Sequence, residues 1–477
     1  MKATTATTGT ATAHRRALVR LAGPVYLELL AGVAAGVIGM VWVAHLGQDA
    51  VAAVAVATNV ENLLLGVVLM AASGTTVLVA RARGADDPAA LRSAVRGGVA
   101  LGALLVPPVA LGGYLLRDPL AALLLGGSGH PAHAQATAYF AISLPGTAVF
   151  FATTVLDGIL KGTGDTRTPM RLAFLANGLI LVLDPPLIHA YGVEGAAFAT
   201  VVGRTAALAA GLLALRRNEL LKAARSGRVA RAARPAGDGL PAAVRRTAAL
   251  GLPMSVDFAV RMAGALALVT VVARLGVTEI AAYGIAAKAM YVATMAFYAL
   301  RQAAAIHTAH LLGAGRDERA AVGRQALAFG GLLGTGAALL LLVTAGPVMR
   351  GFGAEPSVAE AGALFLRCLG PYLLLMAGFI ALAGVFEGSG DSPRLARITV
   401  VGVLLQLPLA YALSAALGLA GICLAMALAM AAQCAALGRL RRRSGWIGTG
   451  QPTGQEDADA EAGAETGAEA GAGSRSV

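Results

Sequence analysis

Apolar runs of about 20 residues recur along the chain, parted by short polar stretches rich in Gly, Arg and Asp. Each run can cross a hydrocarbon layer of roughly 30 Å as a helix. The pattern predicts spans at 18–43, 51–79, 93–116, 135–160, 169–190, 194–215, 247–273, 279–306, 323–346, 358–386, 394–415 and 418–438. Twelve such spans make an all-α polytopic membrane protein.

Composition agrees. Of 477 residues, 57% are hydrophobic and 13% charged, about half the charge of a typical soluble domain. The opening MKATTATTGTATAHRR has no apolar h-region, so the first run is expected to remain as a span. The tail 441–477 is rich in Glu, Asp, Ala and Gly and is expected to be disordered.

The formal charge is +12, and its distribution matters more than its size. Lys2, Arg15, Arg16 and Arg20 precede the first span. Basic residues then follow every even-numbered span, among them Arg81, Arg83, Lys161, Arg167, Arg216, Arg217, Arg316, Arg394 and Arg441. The odd-numbered loops offer only Arg117, Arg274 and Arg350. Because cytoplasmic loops hold the excess of Lys and Arg, both termini and every even loop are expected in the cytoplasm, in a multi-pass plasma-membrane protein. The basic charge is thus a topology signal, and no nucleic-acid partner is expected. Cys368, Cys423 and Cys434 sit inside apolar runs without metal-like spacing; they read as packing residues. No metal and no cofactor is expected.

Two polar loops are near copies: KGTGDTRTPMR at 161–171 and EGSGDSPRLAR at 387–397. Other positions repeat with them. Pro24 falls on Pro253, Leu46-Gly47 on Leu275-Gly276 and Gly84-Ala85 on Gly313-Ala314, at an offset of 229 residues. Pro145 falls on Pro371, Gly164-Asp165 on Gly390-Asp391 and Gly192 on Gly418, at an offset of 226. One three-residue indel joins the registers. The chain is therefore two pseudo-symmetric six-helix bundles. The predicted parts are an N-terminal segment 1–17, an N-lobe 18–215, a basic linker 216–246, a C-lobe 247–440 and the tail. Each lobe has an even number of spans, so the repeats are parallel, and paired lobes suit alternating access. Gly permits the tight turn of each loop, and Pro169 and Pro393 can start the next helix. The loops read as structural joints and lack a P-loop arrangement.

Ionisable groups inside the membrane mark pathways by default. The N-lobe offers Glu28, Glu61, Asp157 and Asp184; the C-lobe offers Asp257, Arg261, Lys288, Arg301 and Arg367. Glu28 and Asp257 each lie four residues after the repeated proline, one turn past a helix distortion. Asp257 and Arg261 stand at i,i+4 and can pair. Asn177 and Asp184 share a helix face, and Pro185-Pro186 is expected to interrupt that helix. Glu28, Glu61, Asn177 and Asp184 are the candidate ion-coupling residues, with Asp157 less favoured for its position near the cytoplasmic end. Lys288, Tyr291, Met295, Tyr298 and Gln302 form one stripe at helical spacing; the matching stripe in the N-lobe includes Asn59 and Asn62. Both stripes are expected to line a substrate cleft, with interhelix packing as the plainer alternative. His307 and His310 receive no role.

The stretches LAGPVYLELL (21–30), HLGQDAVAAVAVAT (45–58), LVARARGADD (78–87), LKGTGDTRTPM (160–170) and LDPPLIHAYGVEGAAFAT (183–200) resemble the multidrug and toxic compound extrusion (MATE) family, as do their second-half echoes LGLPMSVD (250–257), RLGVTEIAAYGIA (274–286) and EGSGDSPR (387–394). The resemblance implies two lobes of six helices exporting amphipathic, often cationic compounds against inward H⁺ or Na⁺. In that family an N-lobe ion site typically uses a span-1 Asp and an Asn/Asp pair in span 5. Asp184 matches that Asp, whereas Ile180 stands where the Asn is usual and Gly39 where the span-1 Asp is usual. Arg261 stands where one branch has a span-7 Glu. The expectation is a non-enzymatic, monomeric antiporter of small molecules in the lipid bilayer, coupled through the N-lobe, with H⁺ favoured over Na⁺. The rivals are a flippase of a phosphorylated lipid-linked saccharide, using Arg261, Lys288, Arg301 and Arg367 as a cationic cleft, and a membrane-embedded enzyme.

Overall fold

The computed structural model describes residues 2–217, 239–352 and 355–443. Thirteen helices fill nearly all of them. In the first half these are α1 (Lys2–Ala44), α2 (Gln48–Gly84), α3 (Pro88–Leu115), α4 (Arg117–Leu125), α5 (His133–Gly162), α6 (Arg167–Tyr191) and α7 (Val193–Arg217). The second half has α8 (Leu240–Ala273), α9 (Val277–Gly313), α10 (Arg319–Gly351), α11 (Pro356–Cys368), α12 (Gly370–Ser389) and α13 (Ser392–Arg443). The compact unit that they build ends at Leu437.

Eleven of these helices are long and apolar enough to cross a membrane. The last runs for 52 residues, more than twice the roughly 20 needed for one crossing. Its backbone breaks at Gly418, with φ 57° and ψ −135°, so it holds two crossings. Gly192 makes the same turn between α6 and α7, with φ 60° and ψ −134°. This conformation favours glycine because no Cβ is present to clash. The total is twelve crossings in two repeats. The outside of the molecule is studded with exposed Leu and Val, such as Leu104, Val182, Leu332, Val343 and Leu404. In lipid such a surface carries no hydrophobic penalty, and helical hydrogen bonds satisfy the backbone along each crossing.

Several boundaries differ from those predicted. α1 begins at Lys2, so the predicted N-terminal segment is a helical extension of the first crossing. α8 begins at Leu240, which takes 240–246 out of the predicted linker; residues 218–238 lie outside the described residues, as does the tail from Ser444. The predicted span 358–386 is two helices divided at Leu369. Pro371 explains the division, since it has no N–H to continue a helix and suits the first turn of a new one. α4 was not predicted. Pro185-Pro186 does not interrupt α6, which continues to Tyr191. The two missing N–H groups free the carbonyls one turn back without forcing a break.

The duplication reappears in the contacts between the halves. α2 packs on α8 and α9, and α1 packs on α9. Glycine allows the approach: a Cβ at Gly74 would overlap the Thr247 carbonyl, and one at Gly251 the Met70 carbonyl. These contacts lie toward the end of the bundle that carries the Arg- and Lys-rich loops, here called the basic end.

Candidate functional site

Among the described residues, three clusters of charge within the lobes bear on the site. The C-lobe cluster centres on Asp257 of α8, 2% exposed. Arg261, one turn along, donates through Nε over 3.2 Å, as the sequence predicts. Arg301 of α9 donates to the other side of the network: Nη2 lies 2.8 Å from Asp257 Oδ2, and Nε lies 3.0 Å from Glu387 Oε1 of α12. Thr399 of α13 donates to Asp257 Oδ1. Two carboxylates thus face two guanidiniums. The formal charge cancels, and Arg261 also lies over the Phe379 ring at 5.2 Å. A paired, fully hydrogen-bonded cluster of this kind fixes helix positions.

The N-lobe is different. Toward the basic end, Lys161 Nζ of α5 lies 2.7 Å from Glu28 Oε1 of α1. The other oxygen, Oε2, is buried without a hydrogen-bond partner. Asp157, one turn before Lys161, lies within electrostatic reach of both. Toward the opposite end, Glu61 of α2 faces Arg204 of α7 at 3.8 Å, and Arg204 stacks over Phe150 at 4.5 Å. Tyr139 lies within electrostatic reach of Glu61, Arg204 and Asp184. Glu28 and Asp157 share the cation Lys161, whereas Arg204 pairs with Glu61 and Asp184 has no cation of its own among the described residues.

Asp184 stands out within this set. It is 3% exposed and makes no hydrogen bond or ion pair among the described residues. Its Oδ2 faces α1 at Gly39, where an added Cβ would sit 3.2 Å away. Asn177, two turns earlier on the continuous α6, is half-buried.

The two stripes on α2 and α9 are unevenly placed. Asn59, Lys288 and Tyr291 are exposed, Asn62, Tyr298 and Gln302 half-buried, and Met295 buried. His310 and His307, given no role above, do make contacts. His310 Nε2 donates to the Gly162 carbonyl over 2.8 Å, and His307 Nε2 lies 3.0 Å from His14 Nδ1.

Sequence reasoning missed three of the partners, one of them an acid. Lys161 counted only as a topology signal, Glu387 only as part of a loop, and Arg204 not at all. One signal was available. Lys161 and Glu387 occupy equivalent positions of the repeat, with opposite charge.

Twelve crossings in two matched bundles, with charged groups buried inside both, are the architecture of a membrane transporter. The MatE family model matches residues 24–185 and 253–412, once in each half; the chain belongs to this family of membrane transporters of small molecules. The probable multidrug resistance protein NorM of Thermotoga maritima is 25% identical over 408 residues, covering 83% of this chain and 85% of that one. Among solved structures, the outward-facing conformation of a multidrug resistance MATE family transporter of the MOP superfamily aligns with a TM-score of 0.82 at 21% identity, over 91% of this chain and 97% of that one. A MOP superfamily transporter from Pyrococcus furiosus, described as having a binding pocket of reverse polarity, aligns with a TM-score of 0.80 at 21% identity, over 91% of this chain and 97% of that one.

Proposed function

We propose that the chain exports amphipathic, cationic small molecules in exchange for inward protons, with N-lobe carboxylates as the coupling groups. Asp184 carries the reading. It is buried, has no counter-charge among the described residues, and sits in a lobe whose clusters set Glu28, Glu61, Asp157 and Asp184 against Lys161 and Arg204. A charged carboxylate there is costly, and binding a proton removes the cost. The C-lobe acids are already neutralised by Arg261 and Arg301, so coupling falls to the N-lobe. In this reading Glu61 and Asn177 assist Asp184, while Glu28 shares Lys161 with Asp157 as a second proton-holding pair.

The basic loops support a cytoplasmic placement of the basic end and of both termini in the plasma membrane. In this reading residues 18–215 and 247–440 are the two lobes, and the exposed Asn59, Lys288 and Tyr291 face the substrate cleft from the outer side. A proton reaching Asp184 from outside neutralises it, shifts α1 against α6 and lowers affinity for the cationic cargo, which leaves outward. The multidrug description of the NorM relative supports cargo of this class. The flippase reading loses ground, because Arg261 and Arg301 are occupied by Asp257 and Glu387.

The test is reconstituted efflux of a cationic dye under separately imposed proton and sodium gradients. Proton-driven efflux by the parent and none by folded Asp184→Asn is expected. Unchanged efflux by Asp184→Asn removes Asp184 from the mechanism, and efflux driven by sodium alone overturns the proton assignment.

A further inference from the structure

The repeated polar loop is more than a turn. At the basic end the side chain of Arg81, last turn of α2, crosses to the other half: Nη2 donates to the Gly388 carbonyl over 3.1 Å. His310, last turn of α9, crosses the opposite way and donates to the Gly162 carbonyl over 2.8 Å. Arg81 and His310 are equivalent positions at offset 229, and Gly162 and Gly388 are equivalent at offset 226. The two bonds are therefore one contact made twice.

The surrounding geometry repeats as well. Gly164 and Gly390 hold the two loops with φ of 86° and 85°. A Cβ on Gly164 would sit 3.3 Å from His310 Cε1, and one on Gly390 would sit 3.0 Å from Arg81 Nη2. Each loop glycine thus opens the space that the visiting side chain fills. Gly84 and Gly313 complete the seal. A Cβ on the first would overlap the His310 carbonyl and one on the second the Arg81 carbonyl. The acceptors also suit the donors. Gly162 ends α5, and Gly388 lies in the last turn of α12, where carbonyls lack intrahelical partners and accept an N–H from outside; at Gly388 the helix dipole also favours the Arg81 cation.

We propose that Arg81–Gly388 and His310–Gly162 form a crossed pair of latches that closes the basic end of the transporter. Both must release before cargo enters from that side. The loops at 161–171 and 387–397 are the receiving halves of these latches, so the motif occurs twice because each lobe holds the other. The proposal rests on the alternating-access reading for its meaning in transport, and on contacts alone for its existence. Loss of the hydrogen bond from the Arg81 guanidinium changes an equilibrium by about tenfold, and loss of that from the His310 ring by about fivefold, so either latch alone biases the gate and both together hold it.

The test reads the gap directly. Arg171 and Arg397 are exposed, equivalent positions one turn into α6 and α13. Spin labels at Arg171→Cys and Arg397→Cys, with the three native cysteines replaced by Ala, report the separation of the lobes at the basic end. Arg81→Ala with His310→Ala is expected to raise the long-distance population at least threefold in proteoliposomes without substrate or gradient. Each single variant should fall between. Gly313→Ala, which wedges the same seam while keeping both side chains, should also lengthen the distance. An unchanged distance distribution in the folded double variant and in Gly313→Ala overturns the latch and leaves proton coupling standing. A lengthened distance in protein whose efflux follows sodium alone keeps the latch and removes the proton assignment.

Discussion

Lys161 Nζ lies 2.7 Å from Glu28 Oε1 across 133 residues of sequence, and it is the one cation in its cluster. The pair ties α5 to α1 inside the N-lobe. Lys161→Ala leaves Glu28 and Asp157 with no counter-charge, a change that typically destabilises by about 3–5 kcal/mol. A marked fall in melting temperature in detergent is expected. The double variant Glu28→Gln with Lys161→Met should recover most of it. A single variant as stable as the parent would show that the pair contributes nothing.

Gly39 bears on transport rather than on folding. Valine there would press on Asp184 Oδ2, against which even a lone Cβ sits at 3.2 Å. Gly39→Val is expected to abolish dye efflux while keeping the melting temperature within a few degrees of the parent, whereas Gly39→Ala should retain most activity. Full efflux by the folded valine variant would show that Asp184 does not act through that space.

In the C-lobe the order of effects is the test. Arg301 serves both Asp257 and Glu387, so Arg301→Ala strands buried Glu387, leaves Asp257 to Arg261 and Thr399, and should cost about 3 kcal/mol or more. Glu387→Gln leaves Arg301 bonded to Asp257 and should cost about 1–2 kcal/mol. Thermal unfolding of the two variants measures the ranking. The reverse order would contradict the shared role of Arg301.

Gly251 sits where α8 meets α2. Gly251→Ala places a methyl against the Met70 carbonyl and should speed amide exchange in both helices around that contact, with slower efflux. Gly32 faces open space, so Gly32→Ala should leave exchange there unchanged and gain slightly from the helix preference of alanine. Equal exchange in the Gly251 variant would mean that the seam yields without strain.

The twelve crossings and the duplication were legible because their causes are local. A hydrocarbon layer demands about 20 apolar residues per crossing, and a left-handed backbone demands Gly at 164, 192, 390 and 418. Glu28, Glu61, Asp184 and Asp257 were legible too, since a carboxylate in an apolar run is conspicuous, whereas Glu387 lies at the edge of its run. Most partners were not. A helix apolar on every side gives no hint of its rotation, so nothing local says that Lys161 turns toward Glu28 or that Arg301 reaches Glu387. Arg204 was a lone arginine in an apolar run, open to notice but without a named partner. Pro185-Pro186 misled because proline weakens a helix by two bonds, which the neighbouring turns of α6 withstand.

The opposite signs at Lys161 and Glu387 have an evolutionary corollary. A half-length ancestor assembling as a twin would present the same side chain on both sides of its axis, with neither side favoured for handling protons. In the doubled chain the two equivalent sites carry opposite charges, so the halves are no longer interchangeable: one seats a lysine against an acid and the other a glutamate against an arginine.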